Sequence, residues 1–206
     1  MRRLICSVLV LLAICGVAGC AQSNKPEICQ IQGDRLRMAT SVNEMLSVSD
    51  LIVVFTPTKQ ENILSTFFSD GDVAIGYTKT SGEIDEVLYG SRMSGDTISV
   101  TEVCYTTDSG SKLWTFQGYL PMEIGMKYVL FLKEYADSST YAGMYYPVEV
   151  EYGKYLVSSD AALPLYNTDN GYEQLQVGAA TDLTTYTEWY DTVRKLYPDV
   201  FVRCIV

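Results

Sequence analysis

The sequence predicts a mainly β chain of the α+β class, and three observations predict it. β-branched and aromatic residues gather in short runs, above all Leu51-Ile52-Val53-Val54-Phe55 and Lys127-Tyr128-Val129-Leu130-Phe131-Leu132. Gly, Pro and Asx residues punctuate these runs at short intervals. Helical periodicity is confined to one short segment near the N-terminus and to residues 185–197.

The chain opens with Arg2 and Arg3, then a mostly apolar run from Leu4 to Ala18, then Gly19 and Cys20. Small residues before a cysteine, after a positive start and a short apolar core, are the pattern of a lipoprotein signal peptide. The run of 15 residues rises only about 22 Å as a helix, short of the ~30 Å hydrocarbon core of a bilayer. Residues 1–19 are therefore expected to be removed and Cys20 to carry lipid on a new N-terminus. The lipoprotein pattern implies a diacylglycerol thioether on Cys20, with a further acyl chain on its amine. Two or more such chains anchor stably, on the extracytoplasmic face of the cell membrane. The other reading is an ordinary secretory leader that leaves Cys20 a plain thiol.

Residues 20–34 are polar, carry Pro26 and Gly33, and read as a tether to a single domain over 35–206. Ser41-Val42-Asn43-Glu44 has capping-box spacing and opens a short helix. Leu51–Phe55 reads as a buried strand that ends near Pro57. Val73–Tyr77 and Ile84–Tyr89 have strand character, with Gly76 and Gly82 marking bends or bulges. Thr97–Cys104, the Trp114–Phe116 segment and Lys127–Leu132 are strands; Gly90–Gly95 is a loop. Tyr145–Glu151 and Lys154–Val157 read as a hairpin about Tyr152-Gly153. Thr185-Tyr186-Thr187-Glu188 is a second capping box. Trp189, Tyr190, Val193, Leu196 and Tyr197 follow as one apolar stripe, halted by Pro198. Val200–Val206 reads as a last strand.

Composition excludes several classes of function. The 206 residues contain no histidine, which removes Ser-His-Asp and Cys-His sites and histidine-bearing zinc sites. Without residues 1–19 the chain holds 13 basic and 25 acidic residues, a formal charge of −12. Such a surface repels nucleic acid and anionic headgroups. No cofactor or metal site is expected. Cys29, Cys104 and Cys204 can form one disulfide and leave one thiol. Cys104 and Cys204, both in strand-like segments, are the favoured pair, and three unpaired thiols are the alternative.

Several patterns carry candidate chemistry. Tyr141, Tyr145, Tyr146, Tyr152 and Tyr155 cluster in and before the expected hairpin. Aromatic faces of this kind stack on sugar rings or hold peptides, although tyrosine also suits half-exposed strands. Glu149 and Glu151, like Glu83 and Asp85, stand two apart and so share a face on a strand. A carboxylate pair can hydrolyse a glycosidic bond, and a polar outer face has the same appearance in sequence. Asp70-Gly71-Asp72 and Asp169-Asn170-Gly171 read as turns rather than calcium loops. Gly90–Gly95 has the glycine spacing of a phosphate loop but lacks its Lys-Ser/Thr ending. Ser111 and Lys112 are adjacent, which on a strand would put them on opposite faces.

Asp50–Val54, Glu86–Gly90, Asp96–Val100 and Ile124–Leu132 together resemble a group of uncharacterised surface lipoproteins of Gram-positive type. Over residues 50–132 the strand order is also similar to the netrin-like, or tissue-inhibitor-of-metalloproteinase-like, OB barrels. The resemblance implies a small OB-like β-barrel, a fold with a face for oligosaccharides, nucleic acids or proteins. Inhibition of proteases through a free N-terminal cysteine amine does not carry over, because Cys20 is expected to be lipidated and the disulfide framework is missing. The expected function is a membrane-anchored binding module for a protein, a peptide or cell-wall glycan. A histidine-free surface hydrolase and an accessory subunit of a surface complex are the alternatives.

Overall fold

A computed structural model describes residues 26–31, 38–66, 73–116, 118–157 and 182–202. The leader, Cys20, both Asp-Gly and Asp-Asn-Gly turns, and Cys204 lie outside the described residues. The elements in order are β1 (Glu27–Ile31), α1 (Val42–Val48), β2 (Leu51–Thr66), β3 (Val73–Tyr89), β4 (Thr97–Glu102), β5 (Cys104–Thr107), β6 (Lys112–Phe116), β7 (Tyr128–Glu134), β8 (Tyr145–Pro147), β9 (Lys154–Leu156), α2 (Leu183–Leu196) and α3 (Pro198–Val202).

Strands β2, β3, β4, β8 and β7 are hydrogen-bonded in that order, and β2 pairs again with β7 to close a five-stranded barrel. The β4–β8 step is parallel, at Val100 opposite Tyr145, and the other steps are antiparallel. This closure is consistent with a small OB-like barrel. Among the described residues, no helix is long and apolar enough to cross a membrane.

The continuous apolar runs now have a physical reason. Leu51, Val53 and Phe55 point into the barrel, where they meet Ile84, Ile98, Val100, Leu130 and Leu132. Ile52 and Val54 point outward with Val129 and Phe131, and helices cover them through Met45, Tyr186, Trp189, Tyr190 and Val193. Strands buried on both faces lose alternation and read as unbroken hydrophobic runs. Burial of each such side chain stabilises by roughly 1.5–3 kcal/mol.

The structure redraws several boundaries. Strand β2 continues through Pro57 to Thr66, with a register shift between Pro57 and Lys59. Its partner β3 is one strand rather than two. The polar segment expected as a tether contains β1, which lies parallel on β6 in a second sheet ordered β1-β6-β5. Helix α2 starts at Leu183, before the Thr185 capping box, because Asp182 accepts from the Thr184 and Thr185 amides. Of the expected last strand Val200–Val206, residues 200–202 are instead part of a helix over Pro198–Val202, where proline stands at the first helical position, and residues 203–206 lie outside the described residues.

The Tyr145–Val157 hairpin is also corrected. Strands β8 and β9 do not pair with each other; both lie antiparallel to β7. They form one strand interrupted at 148–153, where Glu149 and Val150 take left-handed backbone (φ 59° and 56°). An ordinary hairpin turn is thus replaced by a bulged excursion that buries Val148 and Tyr152 in the layer under the helices.

Candidate functional site

The five tyrosines expected to share a face separate into two environments. Tyr145, Tyr152 and Tyr155 are buried, only 3%, 7% and 0% exposed, and are core residues rather than ligand contacts. Tyr152 packs on Trp189 at 5.2 Å and Tyr155 stacks on Tyr186 at 5.6 Å, both beneath α2. Tyr145 is occupied from outside by Arg92, whose Nε donates to its hydroxyl at 3.0 Å. The excursion and the alternation of β8 bury these three, so a flat tyrosine face never forms.

Tyr141 and Tyr146 belong to a different group, completed by two tyrosines that the sequence reading did not single out. Tyr77 projects from the outer side of β3, and Tyr135 follows directly after β7. The ring centroids of Tyr77 and Tyr141 are 5.3 Å apart and nearly perpendicular. Tyr135 lies 4.9 Å from Tyr141 and 4.6 Å from Tyr146. The Tyr135 hydroxyl shares a 2.8 Å hydrogen bond with Thr101 Oγ1 on β4. Burial raises the hydroxyl pKa of both Tyr77 and Tyr135, so both are neutral donors at ordinary pH.

Three of these rings, those of Tyr77, Tyr135 and Tyr141, line a cleft of about 260 Å³. They line it together with Ile31 of β1, Phe116 of β6 and the 101–103 stretch that includes Glu102. Gly76 allows the close approach of strands here: a β-carbon on it would sit 2.5 Å from the Tyr105 ring. Register explains the gathering. On β3, Tyr77 and Lys79 face outward with Thr101, while Thr78 and Thr80 face inward with Glu102 and Val100. The residues after β7 then fold over the outer side as a run of turns from Ala136 to Gly143.

The inward side at the same level holds a buried polar cluster. Glu102 is fully buried and accepts from Tyr119 Oη at 2.8 Å, the Met122 amide at 2.7 Å, Gln60 Nε2 at 3.2 Å and Thr80 Oγ1. Lys154, 1% exposed, donates to the Leu120 carbonyl, and its ammonium stands 4.4 Å over the Tyr119 ring. Desolvation lowers the Lys154 pKa to about 8, opposed by Glu102 first and then by Cys104, Glu151 and Glu123. The cluster pins the 119–123 segment against the barrel interior. A sequence clue existed: Glu102 continues the inward series Ile98 and Val100, where a charge is out of place.

The carboxylate pairs do not make a hydrolytic site. Glu149 and Glu151 are buried, and Glu149 Oε1 accepts from the backbone amides of Met38 and, at 2.6 Å, Ala39. That carboxylate holds the segment before α1 onto the barrel. Glu83 and Asp85 do lie on an exposed outer face, where Asp85 pairs with Lys127 at 3.1 Å. Gly90–Gly95 is a loop whose turn is closed by Asp96 accepting from the Met93 amide at 3.0 Å. Cys104 is a free, fully buried thiol, and its expected partner Cys204 is outside the described residues. Ser111 lies in the turn before β6 and Lys112 opens that strand.

Comparison with protein-family models, curated proteins and solved structures finds no match to this chain.

Proposed function

We propose that this chain is a lipid-anchored, extracytoplasmic binding module whose tyrosine cleft takes a ring of cell-wall glycan. The cleft is the observation that carries the reading. Its lining is mostly aromatic and apolar, with Glu102 as its one acidic residue, and the Tyr77 and Tyr141 rings in it meet edge to face. Uncharged sugar rings suit such a corner, since their C–H faces stack and their hydroxyls bond to tyrosine. A volume of about 260 Å³ falls below that of drug-sized sites, at roughly 300–1,000 Å³, and suits one ring at a time. The acidic surface supports a neutral ligand over nucleic acid.

Anchoring through Cys20 brings the module close to cell-wall material. Lipid on Cys20 is tested by Cys20→Ala, which releases the protein or leaves an unprocessed precursor. A processed, membrane-bound Cys20→Ala protein would overturn it.

Binding is tested by calorimetry with an uncharged N-acetylglucosamine tetrasaccharide and, separately, with a peptidoglycan stem peptide. Tyr77→Ala and Tyr141→Ala should each weaken glycan binding by about tenfold or more, with circular dichroism unchanged. Binding of the peptide alone transfers the cleft to a peptide ligand. Glycan binding that survives both substitutions rejects the cleft.

A further inference from the structure

We infer that Ile31 is a ligand-contacting wall of the cleft and that docking of β1 onto β6 is linked to occupancy of the cleft. The ligand's identity rests on the binding reading above; the link itself rests on geometry.

Strand β1 has five residues and, among the described residues, one strand partner. Its side chains are half-buried or exposed throughout. Short edge strands with few buried contacts open locally at lower free energy than core strands. Yet β1 ends at the cleft: Ile31 stands opposite Phe116 in the register, and both line the cavity together with Tyr77 and Tyr141. When β1 leaves β6, the cleft loses the Ile31 part of its lining. A ligand that contacts Ile31 then favours the docked state, and docking favours the ligand by the same factor.

The position of β1 gives the link a use. Glu27 follows Cys20 by seven positions, a span of at most about 25 Å. A load on the chain between a lipidated Cys20 and the domain reaches the Glu27 end of β1 before it reaches the barrel. The described strand nearest to Cys20 in sequence is thus the one that completes the binding site.

The register supplies a clean test. The Glu27 amide donates to the Ser111 carbonyl at 2.8 Å. Alternation then turns the amides of Cys29 and Ile31 toward β6 and those of Ile28 and Gln30 away. Cys29→Pro removes a ladder donor, Gln30→Pro does not, and Cys29→Ser controls for the thiol. The first readout is amide hydrogen exchange without ligand, over Lys112–Phe116 and over Tyr135–Met144. Cys29→Pro should speed exchange in both segments by about tenfold or more, while the two controls do not. The second readout is affinity for the same tetrasaccharide. If docking falls to about a tenth, apparent affinity falls about tenfold. Ile31→Ala should weaken binding while β6 stays protected.

Each outcome decides something. Faster exchange in β6 with unchanged exchange over Tyr135–Met144 overturns the link. Equal glycan affinity in wild type and Cys29→Pro also overturns it and leaves the binding reading intact. Faster exchange at both segments without glycan binding to wild type keeps the link and rejects the glycan. Should Cys29→Pro leave β6 protected, replacing residues 27–31 by a Gly-Ser stretch of equal length removes the strand, and the same outcomes apply.

Discussion

Inside the barrel, the Tyr119 hydroxyl donates to the Glu102 carboxylate at 2.8 Å, which ties the segment after β6 to strand β4. Glu102 also accepts from Gln60, Thr80 and the Met122 amide, so its two oxygens meet donors on every side. Glu102→Gln places an amide NH₂ against some of those donors and leaves their bonds unmade. The expected cost is about 2–4 kcal/mol. Tyr119→Phe keeps the ring under Lys154 and loses one bond, for about 1–2 kcal/mol. Urea denaturation should rank the two variants in that order, and equal stabilities would mean that the carboxylate is not the hub.

Lys154 sets a pH dependence. Its pKa is lowered to about 8 in the fold and returns to the ordinary lysine value of about 10.5 on unfolding. Between these values the unfolded chain binds a proton that the folded chain does not. Stability therefore rises with pH in that window, by as much as about 3 kcal/mol. Below pH ~8 both states hold the proton and the full cost of the buried charge is present. Burial raises Tyr119, Tyr155 and Tyr186 well above 10, so unfolded tyrosines ionise first and stability turns down above about pH 10. Unfolding free energies measured from pH 7 to 10 should climb in wild type and lose that climb in Lys154→Met.

Much of the barrel was legible in the sequence because its strands are buried on two faces, and such runs stand out in any reading. Leu51–Phe55 and Tyr128–Leu132 are the clearest cases. What the sequence hid was pairing. Whether Tyr145 and Tyr155 share a hairpin depends on both pairing with β7 instead, and on left-handed backbone at Glu149 and Val150, residues that rarely adopt it. The cleft was half legible for the same reason. Tyr141 and Tyr146 are near in sequence, whereas Tyr77 and Ile31 reach them only through the register of β3 with β4 and of β1 with β6.

Gly82 occupies a position that no other residue fits. A β-carbon there would lie 2.3 Å from the Thr56 carbonyl oxygen and 2.5 Å from the Phe55 ring. The glycine faces Pro57 across the β2–β3 ladder, beside the register shift. Neither the backbone oxygen nor the buried ring can yield cheaply, so Gly82→Ala should cost about 1–3 kcal/mol. A thermal unfolding midpoint unchanged by Gly82→Ala would show that the strands are further apart than this.

The cysteines should differ sharply in reactivity. Cys104 is wholly buried, and burial, then the neighbouring Glu102, pushes its thiol pKa up, against a weak pull from its contact with Thr78. A protonated, inaccessible thiol reacts only when the fold opens. Cys29 is half-buried on the edge strand β1. Native labelling with iodoacetamide, followed by peptide mapping, should modify Cys29 at least about a thousandfold faster than Cys104, because global opening is rare at a stability of several kcal/mol. A disulfide to Cys204 would shield Cys104 as well, so a second arm is needed. In urea without reductant, a free Cys104 labels fully and a disulfide-bonded one does not. Full labelling in that arm is the outcome the free thiol requires, and its absence would restore the Cys104–Cys204 pair.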